Sequence, residues 1–362
     1  MFRSNYRKND GEEKSTALWR RRGFPVFVLI AVIIAGLAVF FALAVRRGAA
    51  GGKPLTYSEL LMDTGVELQI FSGAREGERV KEALFDEMKR LEQLLSYRDS
   101  ESEVAAINRA AGKKPVAVSP ETAAVIREAL AYAEISGGAF DPTIAPLLEA
   151  WGFQEGDYRV PGPEELQDAA GMVDYRLVET GEKAVRLARP GMALDLGGIA
   201  KGYIVDRGLD LLERRGVSHA LINAGGDVGI LGPKADGSPW RVGVKHPRNG
   251  TLLAVIPWDK RGAIVTSGDY ERFFEKDGSR YHHILDPQTG EPASALTSVT
   301  VVAPTAVQAD ALSTAVFVLG PKRGLALVEE LPGVEALLVD PQFALLVSSG
   351  LRGLVEPPGG KK

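Results

Sequence analysis

Apolar positions along this chain occur at three spacings, and each predicts a different element. Residues 24–45 form an unbroken apolar run without a charge, long enough to cross a bilayer as a helix. Helical spacing comes next: Val80, Leu84, Met88, Leu91 and Leu95 share one face, with charges on the other. Val125, Ile126, Leu130 and Ala133 make a second such face, opened by Ser119 as N-cap with Pro120 in the first turn and closed by Gly137-Gly138. The stretch 100–108 suits a short helix capped by Ser100 or Ser102, and 164–169 one or two helical turns. Near the C-terminus, 305–319 reads as a helix stopped by Gly320-Pro321, with another over 323–330.

Runs of period two, or short continuous ones bounded by turn residues, predict strands over 66–71, Trp240–Lys245, 252–257, 263–267, Ser298–Ala303 and Glu335–Val339. The last closes a hairpin with 343–347 through Asp340-Pro341. Residues 272–275 and 280–285 read as another hairpin, turning at Asp277-Gly278. Leu55–Leu61 is expected to be linker or a first turn. Between 192 and 232 the pattern runs strand, tight loop, helix, strand, glycine-rich turn. Its parts are apolar 192–196 with Asp195 inside it, Gly197-Gly198, a helix facing inward with Ile199, Tyr203, Val205, Leu209 and Leu212, a strand over 219–223, and a turn over 224–232. Helices and strands that interleave through many antiparallel hairpins predict an α+β fold rather than a doubly wound parallel sheet.

Charge gives the apolar run a direction. Arg3, Arg7, Lys8, Lys14, Arg20, Arg21 and Arg22 precede it, and only Arg46, Arg47 and Lys53 closely follow. The basic excess puts the N-terminus in the cytoplasm. The expected organisation is a cytoplasmic tail over 1–23, an uncleaved single-pass anchor over 24–45, a linker over 46–54, an extracytoplasmic domain over 55–352 and a disordered tail over 353–362. A net charge of −4 gives no ground for nucleic-acid binding. The chain has no cysteine, which excludes disulfides, thiolate metal sites, a cysteine nucleophile and a lipid-modified cysteine.

Four features could carry chemistry, each with a plainer alternative. Gly197-Gly198 before a helix, with Lys201 in its first turn, could seat a phosphate on free backbone N–H groups, or could simply be a tight packing point. Asp310, Ser313 and Thr314 lie at i, i+3 and i+4, so their oxygens share a side and suit a hard cation such as Mg²⁺; an alanine-rich helix with a polar face is the alternative. His282 and His283 offer a general base or a structural pair. Asp141 offers a site carboxylate or a turn former.

The segments SYRDSESEVAAIN, GGAFDPTIAPLLEAWGF, LDLGGIAKGY, INAGGDVGILG, HHILDPQTGEPA and ADALSTAVFVLG occur in this order. Together they resemble the ApbE family of FAD:protein FMN transferases, over roughly residues 55–351. The resemblance implies a T-fold-related α+β catalytic domain that uses Mg²⁺ and takes FAD as substrate. It implies cleavage of the FAD pyrophosphate, release of AMP and attachment of FMN through a phosphoester to a threonine or serine of an acceptor protein, with a membrane redox subunit the expected acceptor. Carried over by position, Met62, Tyr97, Ala139, Phe140, Asp141, Asp195, Lys201 and Ile284 would line the FAD site. Asp310, Thr314 and the carbonyl of Gly198 would hold the metal, with Ser313 beside them, and His283 would be the base. Three departures stand out: Asp63 where family members often have glycine, Ser313 where some have aspartate, and a helix in place of the lipid-bearing cysteine of many. Two other readings use the same residues: a Mg²⁺-dependent FAD pyrophosphatase giving FMN and AMP, and a non-catalytic extracytoplasmic flavin-binding protein.

Overall fold

In the strand Ser298–Ala303, Val299, Val301 and Ala303 face one way and Val302 the other, and all four are buried. Both faces of this strand are therefore covered, which is why its sequence is continuously apolar instead of alternating. The structure, a computed structural model, describes residues 52–359. The cytoplasmic tail and apolar anchor expected for 1–45 fall outside the described residues.

Along the chain come β1 (Leu55–Leu61), β2 (Thr64–Ile70), α1 (Ala74–Leu95), α2 (Glu103–Arg109), β3 (Val116–Ala117), α3 (Pro120–Ile135), α4 (Ala145–Ala150) and α5 (Pro163–Ala170). Next are β4 (Val178–Thr180), β5 (Ala184–Leu187), α6 (Ala200–Arg214), β6 (Ala220–Ala224), β7 (Asp227–Leu231), β8 (Trp240–Lys245), β9 (Leu252–Trp258) and β10 (Gly262–Gly268). The chain closes with β11 (Phe273–Lys276), β12 (Ser279–His282), β13 (Ser298–Ala303), α7 (Ala306–Glu330), β14 (Glu335–Val339) and β15 (Leu345–Val347). Eight strands form one antiparallel sheet in the order β1-β2-β6-β7-β10-β13-β14-β15, and the mixture is α+β as expected. One face carries the main core, shared with α1, α3, α6 and α7. The β8–β9 hairpin contributes Trp240, Val244 and Ile256 to a second core on the other face, with Ile230, Ile264 and Val302.

Helices α6 and α7 cap each other, and this fixes the site. Ile199, at the N-cap of α6, offers no side-chain acceptor; Asp310 on α7 supplies one, taking the Gly202 N–H at 3.0 Å. In return Asp206 on α6 accepts from the Ala306 and Val307 amides, both at 2.8 Å, in the first turn of α7. The backbones can approach this closely because Gly202 lacks a side chain: a Cβ there would lie 2.3 Å from the Ala306 carbonyl oxygen and 2.8 Å from Asp310 Cβ. The crossing brings Asp310 and Thr314 to the loop that precedes α6.

The expected caps hold. Ser102 accepts from Ala105 N at 2.9 Å and Ser119 from Thr122 N at 3.2 Å. Gly320, at φ 74° and ψ −179°, divides α7 into the two helical segments anticipated from Gly320-Pro321. By length and hydropathy α7 could cross a membrane, yet Ala309, Leu312, Val316 and Phe317 are fully buried in the main core.

Several expectations are corrected. Leu55–Leu61 is a strand, joined to β2 through Met62 and Asp63 at φ 54° and 58°, a two-residue hairpin turn with both central residues left-handed. Residues 192–196 are not a strand. Asn108 holds them in place, giving its Nδ2 hydrogen to Leu194 O at 2.9 Å and taking Leu194 N–H at 2.7 Å, and only Ala193 bridges to Ile144. The turn expected over 224–232 shrinks to Gly225-Gly226, because Asp227–Leu231 continues as β7, buried along its whole length. Within the segment read as a tail, Glu356 exchanges backbone hydrogen bonds with Val255 at 2.9 and 2.8 Å.

Candidate active site

At one end of the sheet, where the β1–β2 and β6–β7 turns meet the start of α6 and the first turns of α7, lies a cleft of about 480 Å³. Met62, Tyr97, Ala139, Phe140, Asp141, Asp195, Gly198, Lys201, His283, Ile284, Asp310 and Thr314 all line it. Ser313 does not. Its hydroxyl is buried, donating to the Asp310 carbonyl at 2.8 Å and pairing with Ser267 at 2.7 Å, so it ties α7 to β10.

The floor is an acidic cluster around one ammonium. Lys201 Nζ bonds Asp227 Oδ1 at 3.0 Å, and Asp310 lies beside both. Burial works against the Lys201 charge, but Asp227 and Asp310 outweigh it and hold its pKa above the ordinary value. The Asp310 carboxyl is pushed well up, first by burial and then by the Asp227 charge, with Lys201 pulling the other way. Asp227 is 1% exposed, and besides Lys201 its carboxylate meets the Asp310 carboxyl, which hydrogen-bonds it when protonated. Two buried carboxyl groups thus crowd one ammonium, and the second keeps its proton. Gly198 lies against Thr314, since a Cβ on it would sit 3.3 Å from Thr314 Oγ1 and 3.2 Å from the Phe140 ring. Asp310, Thr314 and the Gly198 main chain thus lie together on one side of the cleft and carry oxygens, the donor type a hard cation takes. Among the described residues no three acidic or histidine side chains form a closed metal cage.

The loop before α6 has fewer free amides than expected for an anion seat. Asp195 Oδ1 takes Gly197 N at 2.6 Å, Leu196 O takes both Ile199 N and Ala200 N, and Asp310 takes Gly202 N. Among the described residues, the Gly198 and Lys201 amides are left without a protein partner.

The two histidines separate cleanly. His282 is 5% exposed; its Nε2 donates to Ala293 O at 2.9 Å and its Nδ1 accepts from Ile284 N at 3.3 Å, so both ring nitrogens are committed. His283 lines the cleft, with Nδ1 3.3 Å from Arg272 O. A carbonyl can only accept, so the neutral ring carries its proton on Nδ1 and keeps a lone pair on Nε2. Burial, then the Arg272 and His282 charges, depress the His283 pKa well below 6.5, and the ring is neutral at pH 7.

Gln154, Arg98 and Glu92, absent from the sequence-based set, complete the walls together with Tyr97 and Asp141, which belong to it. Gln154, 5% exposed, bonds Asp195 Oδ2. Arg98 spans from Gln154 O to Asp63 Oδ2, both at 3.0 Å, and Glu92 takes the Met62 N–H at 2.8 Å, which together hold the hairpin turn at the cleft edge. Tyr97 is bonded to Glu149; burial and that carboxylate raise its pKa. Asp141 acts as a turn former inside the cleft wall. Its oxygens take Thr143 N at 2.8 Å, Thr143 Oγ1 at 2.6 Å and Tyr175 N at 3.0 Å, while burial pushes its carboxyl up. Of the residues the sequence set lacked, Asp227 carried a local signal, since it ends the glycine pair of INAGGDVG.

A family model described as the ApbE family matches residues 62–338. The chain belongs to the ApbE family. Within that family, an FAD:protein FMN transferase of Treponema pallidum (strain Nichols) is 36% identical, over 93% of this chain and 96% of its own length. One of Klebsiella pneumoniae (strain 342) is also 36% identical, over 82% and 92%. Among solved structures, the ApbE protein of Thermotoga maritima gives a TM-score of 0.78 at 39% identity, covering 83% of this chain and 99% of that one. The flavin transferase ApbE from Vibrio cholerae gives 0.76 at 28%, covering 83% and 99%.

Proposed function

We propose that this chain is an FAD:protein FMN transferase: it moves FMN from FAD to a threonine or serine hydroxyl of an acceptor protein and releases AMP. The observation that carries the reading is the meeting, in one cleft, of a neutral histidine with a free Nε2, the loop before α6, and the Asp310–Thr314 pair. In the reaction the acceptor oxygen bonds to the flavin-side phosphorus, the P–O bond to the adenylate phosphate breaks, and AMP leaves with the electron pair. His283 Nε2 takes the hydroxyl proton as that oxygen becomes a nucleophile. The Lys201 ammonium and the Gly198 and Lys201 amides, which have no protein partner among the described residues, would stabilise the negative pyrophosphate in the cleft they line. Tyr97, Phe140 and Ile284 shape the apolar part of the wall.

Mg²⁺ fits the residues present, because Asp227 and Asp310 crowd a single ammonium, and a bound cation would take the place of the proton that burial and the Asp227 charge keep on Asp310. Asp310, Thr314 and the Gly198 carbonyl would hold it, and when bound it would neutralise pyrophosphate charge. The acceptor is read as a membrane redox subunit. The domain is read as anchored by 24–45 on the extracytoplasmic side, since the basic residues before that apolar run outnumber those that closely follow it. Protease added to intact spheroplasts should then digest the domain, and full protection would reverse the orientation. The reaction itself is tested by AMP release: it should require an acceptor polypeptide, whereas equal release without one would make the enzyme an FAD pyrophosphatase.

A further inference from the structure

Strand β1 ends on the cleft. Leu61 is its last residue, and the Met62 and Asp63 that follow line the cavity. β1 is also the end strand of the eight-stranded sheet. All seven of its residues pair with β2 in unbroken register, and among the described residues nothing pairs with its other edge. Natural end strands are normally blocked by a lysine, a proline or a bulge. LTYSELL has none of these: Lys53 and Pro54 stand before its first residue, and its one charge, Glu59, lies on the opposite face of the strand from Leu60. It shows Leu60 instead, 83% exposed, more than any other large apolar side chain among the described residues. Leu60 faces Gly65 across the register, so β2 has no side chain to cover it, and the space above Gly65 is open. The hairpin turn beyond is held by Glu92 and Arg98, which makes the cleft lip a fixed end to this track.

We infer that this edge docks the acceptor polypeptide. An extended acceptor segment adds to β1 as a ninth strand, lays an apolar residue over Leu60 and Gly65, and runs on past Met62-Asp63 so that its hydroxyl enters the cleft. The inference rests on the transferase reading, since water would need no track. Main-chain pairing supplies affinity with little demand on sequence, and alternate side chains supply selection. Glu59, exposed beside Leu60, selects against an acidic residue facing it. A second copy of this chain is the competing occupant of the same edge.

The test uses cells deleted for their own copy and complemented with the full chain as wild type, Leu60→Lys or Leu354→Lys. Leu354 is a control, 49% exposed and remote in sequence from the edge and the cleft lining. Covalently flavinylated proteins are read by in-gel flavin fluorescence, FAD affinity by fluorescence quenching, and oligomeric state by sedimentation. A charged edge residue should lower the labelling rate at least about tenfold in Leu60→Lys alone, with FAD affinity within about twofold in all three. Labelling by Leu60→Lys at the wild-type rate would overturn the inference. So would a wild-type dimer that Leu60→Lys dissociates while labelling persists. If wild type labels nothing beyond the deletion strain, the transferase reading falls and this inference with it.

Discussion

Replacing each histidine of the 282–283 pair by alanine should separate catalysis from stability. In His283→Ala the lost group is the only ring nitrogen of the pair left free, on a side chain that lines the cleft. A positioned general base contributes roughly 10²- to 10⁴-fold, about 3–5 kcal/mol at 1.36 kcal/mol per decade. The structural loss is small, because the Arg272 carbonyl contact is long at 3.3 Å. His283→Ala should therefore cut the single-turnover transfer rate at least about a hundredfold and leave FAD affinity nearly unchanged. His282→Ala removes a buried ring with two hydrogen bonds and an edge contact to Phe317, so it should cost about 2–4 kcal/mol of stability and far less in rate once folded.

The sign of the pH dependence follows from the depressed pKa values. His283 is neutral in the folded enzyme below the ordinary 6.5, so wild-type transfer should stay level from pH 8 down to about 6.5 and fall only at lower pH. That acidic limb should vanish in His283→Ala. Between the depressed folded value and 6.5, the unfolded chain binds protons at both histidines that the folded chain does not. Stability is therefore full above 6.5 and declines as pH falls from there. The assay is stopped-flow or quench transfer at saturating FAD from pH 5 to 9, with thermal melts alongside. A His283→Ala enzyme with a near wild-type rate and an unchanged profile would refute the assignment.

Asp310→Ala should abolish transfer at limiting Mg²⁺ while thermal stability shifts by no more than about 1–2 kcal/mol, because the lost cap on Gly202 is offset by removing a buried carboxyl; retained activity would remove Asp310 from the metal site. Gly202→Ala should cost about 1–3 kcal/mol or more, since its Cβ meets a backbone carbonyl at 2.3 Å that cannot move without parting α6 from α7; an unchanged melting temperature would show that the crossing is looser than described.

Legibility in the sequence followed locality. Caps and helical faces were readable because Ser102, Ser119 and Gly320 act within a few residues of themselves. The motif residues did converge, apart from Ser313, whose i+3 spacing from Asp310 gives a shared helix side but not which neighbour fills it; here that neighbour is Ser267. β1 was obscured because Glu59 falls on the face of Leu55, Tyr57 and Leu61 while Leu60 falls on the open face, which breaks the alternation, and because Met62-Asp63 lacks the Asn-Gly chemistry of a two-residue turn. β7 was obscured for the opposite reason, with both faces buried and no polar residue after Asp227 to mark a period. Asp206, Asp227 and Gln154 act on residues 26 to 101 positions away, and no local pattern records such a partner.

The most direct measurement is the intact mass of an acceptor polypeptide after incubation with the full chain, FAD and Mg²⁺, followed by fragmentation to locate the change. One FMN in phosphoester linkage on a threonine or serine, with one AMP released for each, is the expected result. FAD cleaved to free FMN and AMP while the acceptor keeps its original mass would contradict the account.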